Sequence, residues 1–169
     1  MFVLVCNLKK KIIGEFHNPE THLIPTIVYK NLLKQQIYVY GNNYKTKDGT
    51  CVRDYVHIKD ICNAIEKSIK FLLMSQNNFE IINIGSSSKK TNFEILDTVK
   101  KITNISNNFK IVKRRKGDVD FLTCSIVKAK KKLQWKPIYS NIKNIIKDEI
   151  KWVNYLINNK KFRKFKNYL

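Results

Sequence analysis

Between Leu23 and Gln36 the apolar positions Leu23, Ile24, Ile27, Val28, Leu32 and Leu33 recur at helical spacing, which predicts an amphipathic helix. Thr21 is its expected N-cap, and Pro25 is tolerated in the first turn. Ile37 to Tyr40 is a short β-branched and aromatic run closed by Gly41-Asn42, hence a strand and a turn. Asp48-Gly49 marks a second turn, and Thr50 to Val56 a further extended piece. The longest periodic stretch runs from Ile58 to Met74, with Ile61, Ile65, Ile69 and Leu72/Leu73 on one face opposite Lys67 and Lys70. Phe79 to Ile84 reads as a compact buried strand ending in the loop Gly85-Ser86-Ser87-Ser88. Thr91 to Ile102 is a second amphipathic helix, opened by a capping box of Thr91 and Glu94. Phe109 to Val112 and Phe121 to Cys124 are expected as short strands flanking a basic turn. Ser125 to Leu133 and Ile142 to Ile157 follow as helices.

Helices alternating with short strands give an α/β class. The chain has 169 residues, 43% of them hydrophobic, enough for one sizeable core and one domain. No apolar run approaches the ~20 residues of a membrane span. The opening MFVLVC is apolar before its lysines, the reverse of a secretory signal. Cys6, Cys51, Cys62 and Cys124 lack CxxC spacing and read as reduced thiols of a cytoplasmic protein.

Net charge changes this picture less than its size suggests. A value of +20 points towards nucleic acid or an anionic membrane. The basic excess is 29 Lys against 4 Arg, with Asn and Ile abundant and Ala only at Ala64 and Ala129. That composition is what an AT-rich genome writes into all its proteins. The charge therefore carries little functional information.

Three segments combine turn residues, arginines and aromatics beyond what a core requires: Ile13 to Pro25, Ile37 to Asp60, and the RRKGD stretch from Arg114 to Asp118. A guanidinium fork binds phosphate oxygens bidentately in a way that Lys does not copy. Arg53 and Arg115 are thus candidates to clamp a diphosphate. The plainer alternative for Arg53 is an ion pair with Asp54 or Asp60. Tyr40 has the alternative of ordinary core, and Asp118 that of a turn residue after Gly117. His17, His22 and His57 raise the question of a metal, but no carboxylate or Cys spacing finishes a site, so none is expected.

The pattern GE-x-HNPETHLIP, then YG-x-x-Y-x-T-x-DGTCVRDYVH-x-x-D, then RR-x-GD, resembles the C-terminal half of UDP-glucose 4-epimerases of the extended short-chain dehydrogenase/reductase superfamily. The resemblance runs from about Gly14 to Trp152 and implies the C-terminal part of an extended Rossmann-type epimerase fold, without the nucleotide-binding sheet. It places His22 and Leu23 at a substrate-contacting step, and Tyr38, Val39 and Tyr40 on the strand that holds the uracil. It places Arg53 and Arg115 on the diphosphate, Asp118 on ribose hydroxyls, and Leu122 beside the hexose. It implies UDP-glucose and UDP-galactose as substrates, NAD as cofactor and a dimeric full-length enzyme, with no role for membrane or nucleic acid.

Departures from the family pattern matter as much. Its catalytic Tyr-x-x-x-Lys pair and glycine-rich NAD turn are expected upstream, so no catalytic or cofactor-binding residue is assigned here. Gly14, Gly41, Gly49, Gly85 and Gly117 are all isolated. Tyr55 and Lys59 fit the dyad spacing but fall inside the substrate segment. Where the family has R-Y-F-N-V-x-G the chain reads MFVLVCN, so residues 1–13 are taken as an atypical junction or frameshifted start. Residues 14–157 are then the substrate-binding domain and 158–169 a basic, frayed tail. The expected function is the UDP-sugar-binding part of a 4-epimerase, inactive alone, with a separately encoded N-terminal half as a possible partner. The competing reading is a basic nucleic-acid-binding module using Lys128 to Lys132 and Lys160 to Lys166.

Overall fold

The computed structural model describes residues 2–3, 5–8, 11–17, 19–74 and 79–159. The basic tail therefore lies outside the described residues, apart from its first two positions. The elements in chain order are β1 (Phe2–Val3), β2 (Val5–Leu8), β3 (Lys11–Gly14), α1 (Leu23–Leu32), β4 (Ile37–Tyr40), β5 (Val52–Asp54), β6 (Val56–His57), α2 (Ile58–Met74), β7 (Lys89–Thr91), α3 (Asn92–Thr103), β8 (Phe109–Val112), β9 (Phe121–Leu122), α4 (Val127–Leu133) and α5 (Ile142–Asn158). Within the stretch read as an atypical junction, β2 and β3 form an antiparallel hairpin and β1 runs parallel to β6.

The main core is a three-helix packing. Ile24, Ile27 and Val28 of α1 meet Ile95, Leu96 and Val99 of α3 and Ile145, Ile146 and Val153 of α5. These are the periodic apolar faces of the sequence, each buried against the other two. Ile37 and Val39 of β4 close the cluster, and β4 pairs in parallel with β8. That alternation leaves Tyr38 and Tyr40 on the other face of the strand. The capping box is present at α3: Thr91 Oγ1 accepts from the Glu94 backbone N–H while Glu94 accepts from that of Thr91. At α1 the expected cap is corrected. His22, not Thr21, is the N-cap, and its backbone N–H donates to the Glu20 carboxylate at 2.7 Å instead.

A second, smaller cluster joins Ala64 of α2 to Ile126, Ala129, Leu133 and Trp135. Asp60 locks it: its buried carboxylate accepts from the backbone N–H groups of Ile138 and Tyr139, both at 2.9 Å, and from the Ser140 hydroxyl. Asp60→Ala strips these donors of their partner inside the protein. The expected cost is about 2–4 kcal/mol, read as a lowered midpoint in urea melts.

One expectation fails, and the same cause leaves a face of α2 open. The apolar face of α2 is not buried: Ile65 is 55% exposed, Ile69 54%, Leu73 82% and Met74 89%. Phe79 to Ile84 is not a strand of any sheet among the described residues, and Phe79 and Ile81 stand 78% and 68% exposed. Its alternate residues Ile82 and Ile84 pack on the small cluster, so the run keeps strand periodicity without a ladder partner. A strand is a paired object, and neither partner strands nor a covering layer are supplied within these residues. The loop that follows is well used. The Ser86 backbone N–H and hydroxyl both donate to the Asp54 carboxylate, the former at 3.0 Å.

Candidate functional site

The second face of β4 opens onto a cavity of about 370 Å³. α1 supplies one wall: His22, Thr26 and Lys30 recur every four residues, a cavity-facing stripe on the helix. β4 supplies Tyr38, Val39 and Tyr40, β5 supplies Arg53, and the turn after β8 supplies Arg115 and Asp118. Of the site residues expected from sequence, His22, Leu23, Tyr38, Val39, Tyr40, Arg53, Arg115 and Asp118 all line this one cavity. They come from segments nearly a hundred positions apart.

Leu122 does not. It is 62% exposed and borders a separate cavity with Asp54, Val56, Ile84 and Cys124. It sits on β9, a two-residue strand at one edge of the β7-β5-β9 sheet.

The two arginines are held differently. Arg115 lies over the Tyr40 ring with its guanidinium carbon 3.8 Å from the centroid, a stack that leaves the N–H edge free to bind. Arg53 donates from Nη1 to the carbonyls of Val52 and Val119, each at 2.9 Å, and from Nη2 to Asp118 at 3.5 Å. The alternative partners for Arg53 are thereby corrected: Asp54 is taken by Ser86, and Asp60 by the loop after Trp135. Asp118 also accepts from the Tyr44 hydroxyl at 3.2 Å. Burial, together with that carboxylate, pushes the Tyr44 phenol above its ordinary range, against the pull of Arg114. Arg114 stacks on Tyr44 at 4.0 Å, and Gly41, at φ +79°, makes room for both. A Cβ at Gly41 would lie 2.6 Å from the Tyr44 ring and 3.1 Å from Arg114 Cβ.

Sequence reasoning missed Lys30, whose place on the stripe with His22 and Thr26 was legible but unused. It also set Tyr55 aside. Tyr55 is 1% exposed, lines the cavity, and its hydroxyl is buried with no hydrogen-bond partner, which pushes its pKa far up through desolvation. The histidines also fall out differently. His57 is buried against Asp148, whereas His17 and His22 come together with Glu15, the carboxylate that spacing alone did not supply. Behind them Glu149 is 1% exposed, and desolvation, then the charges of Glu20 and Glu15, push its pKa to about 8. An acid with a raised folded pKa binds more protons folded than unfolded. Its contribution is complete below the usual value of 4.5 and is lost as pH climbs to about 8. Glu149→Gln should therefore flatten the fall in melting temperature across that window and raise it most at the alkaline end.

The lysine-rich helix α4 is engaged within the fold. Lys128 and Lys132 both pair with Glu80, and Lys128 also donates to the Ile81 carbonyl at 2.7 Å. That removes half of the first basic cluster from the nucleic-acid reading. Among the described residues no helix is long and apolar enough to cross a membrane.

Comparison with known proteins identifies the family of the chain. The family model described as GDP-mannose 4,6 dehydratase matches residues 13–148. The UDP-glucose 4-epimerase of Lactobacillus helveticus is 39% identical over 141 residues, covering 83% of this chain and 42% of that protein. The crystal structure of UDP-glucose 4-epimerase from Brucella ovis, in complex with NAD, superposes with a TM-score of 0.77 at 32% identity, over 83% of this chain and 43% of that one. Another UDP-glucose 4-epimerase crystal structure gives a TM-score of 0.83 at 36% identity, over 94% and 49%. The chain thus spans less than half the length of these relatives and shares the α/β fold of that part.

Proposed function

The chain belongs to the GDP-mannose 4,6 dehydratase family, and from that membership we propose that it is the UDP-sugar-binding part of a NAD-dependent UDP-glucose/UDP-galactose 4-epimerase. The observation that carries this reading is the convergence of Arg53 and Arg115 on a cavity walled by Tyr38, Val39 and Tyr40. In a chain with only four arginines, two on one cavity beside an aromatic strand is a diphosphate-and-base arrangement.

In this reading the diphosphate bridges the two guanidinium groups, and Lys30 adds positive charge from α1. Arg115 enters with its plane already fixed by Tyr40, so little rotamer freedom is lost on binding. Asp118 exchanges its long contact with Arg53 for a ribose hydroxyl, which donates to it. The uracil lies along Tyr38 to Tyr40. His22 and Leu23, at the N-terminus of α1, face the sugar end. Leu122, on its separate cavity, has no place in this arrangement.

In a UDP-glucose 4-epimerase, bound NAD would supply hydride removal and return at the sugar C4. The residues here do not fit that cofactor. All five glycines are isolated, so no glycine-rich turn presents a helix N-terminus to its pyrophosphate. No step of the reaction is assigned to this chain, whose part is to bind and orient the nucleotide sugar.

Calorimetric titration tests the reading. UDP-glucose should bind saturably, one per chain, and more tightly than inorganic pyrophosphate, with duplex DNA showing no comparable affinity at moderate salt. Pyrophosphate equal to UDP-glucose would overturn the nucleotide part, and salt-sensitive DNA binding alone would favour the basic module. Tyr55→Phe gives a finer test. Removing a hydroxyl that has no partner in the free protein should leave the melting temperature unchanged or raised. The same change should weaken UDP-glucose several-fold if the ligand supplies the missing partner.

A further inference from the structure

Beside the cavity, and sharing His22 with its lining, is a cluster whose Glu15 and His17 the nucleotide-sugar reading leaves unused. The donor atoms of Glu15, His17 and His22 all lie within 4.8 Å of one another. The two imidazole rings meet edge to face, 4.9 Å between centroids, and His17 Nε2 is in contact with the Glu15 carboxylate. We propose that Glu15, His17 and His22 form a binding site for a divalent transition metal of the zinc class.

The donor chemistry supports this first. Two imidazoles and one carboxylate are a set that zinc takes with a fourth position left open. A tetrahedral ion about 2.0–2.1 Å from each donor sets the donors roughly 3.4 Å apart. The ion would part the directly touching His17 and Glu15 and draw in whichever donors stand farther off, which side-chain rotation supplies. His17 is exposed and Glu15 and His22 are half-buried, so an ion has access from solvent.

The surroundings of the donors support it second. His22 Nδ1 lies 2.9 Å from the Glu20 carboxylate, whose side chain is only 1% exposed. A buried carboxylate on one imidazole nitrogen fixes the ring and its tautomer and leaves Nε2 to an ion, the usual arrangement behind metal-bound histidines. The same Glu20 oxygen also accepts from the His22 backbone N–H, so Glu20 is itself held. Third, Glu149 stands behind the cluster, buried, with one carboxylate oxygen lacking a hydrogen-bond partner and with Glu20 and Glu15 as the charges acting on it. A divalent cation compensates this local excess of carboxylates in a chain that is otherwise strongly basic.

This inference goes beyond the UDP-sugar reading and stands or falls apart from it. The full 169-residue chain, free of any polyhistidine tag, is titrated with cobalt(II) and followed by visible absorption. One equivalent should produce the intense ligand-field bands of a four-coordinate site, and zinc should displace them. His17→Ala and His22→Ala should each weaken cobalt by about tenfold or more, and Glu20→Gln should weaken it less. Cys62→Ser, at an exposed thiol outside the cluster, should leave it unchanged. Because His17 is an exposed side chain, its removal should not alter the melting curve of the metal-free protein. No saturable cobalt spectrum in the wild type, or wild-type affinity in both histidine variants, would overturn the proposal.

Discussion

Expressed alone, the chain should show no NAD-dependent interconversion of UDP-galactose and UDP-glucose. Co-expressed with an N-terminal half that carries the glycine-rich turn and the Tyr-x-x-x-Lys pair, it should become active. The first expectation follows from chemistry. Without that turn no helix N-terminus holds the cofactor pyrophosphate, and without the pair no group moves the C4 hydroxyl proton. The second follows from the surface. The face of α2 that carries Ile65, Ile69 and Leu73 lies open, and Phe79 and Ile81 stand exposed on an extended segment with no ladder partner among the described residues. Such a surface asks for a sheet to pair with and a layer to cover it, and left open it promotes self-association. Light scattering should accordingly fall on co-expression, and Leu73→Lys with Met74→Lys should lower it in the lone chain. A lone chain that converts UDP-galactose with added NAD would contradict the assignment of the chemistry elsewhere. Activity only on co-expression would show a split enzyme.

Arg53→Ala and Arg115→Ala should each weaken UDP by about ten- to a hundredfold, the loss of roughly 1.5–3 kcal/mol expected for a charge-assisted hydrogen bond to phosphate. The two should differ in their side effects. Arg115 touches the fold mainly through the Tyr40 ring, so its removal should leave the melting temperature nearly unchanged. Arg53 also ties the carbonyls of Val52 and Val119, so Arg53→Ala should lose stability as well as affinity. Arg53→Lys separates the two effects, since it keeps the charge and gives up the fork. Calorimetry on the three variants beside the wild type reads both. Unchanged affinity in both alanine variants would remove these residues from the site.

Where the sequence was informative, local chemistry and tertiary packing agree. Ile37–Tyr40, Phe109–Val112 and the Ile58 start of α2 appear where their patterns put them, and the Thr91/Glu94 capping box forms because both partners lie within one turn. The candidate site was legible mainly through arginine against a lysine background and through the motifs around Arg53 and Arg115. What was not legible depends on partners distant in sequence. The amphipathic pattern of α2 states that its face wants cover, not that cover exists. The run from Phe79 to Ile84 has strand composition but no strand beside it. The pairing of Arg53 with Asp118 spans 65 positions, and spacing could suggest only the nearer Asp54 and Asp60. Glu15 comes together with His17 and His22, a grouping that no metal-ligand spacing in the sequence announced.

The most direct measurement is a crystal structure of the chain with UDP-glucose bound, with its N-terminal half present if the lone chain does not crystallise. The account predicts the diphosphate between Arg53 and Arg115, the uracil along Tyr38 to Tyr40, and a ribose hydroxyl on Asp118. A nucleotide bound elsewhere, with this cavity empty and Arg53 still on Asp118, would contradict it.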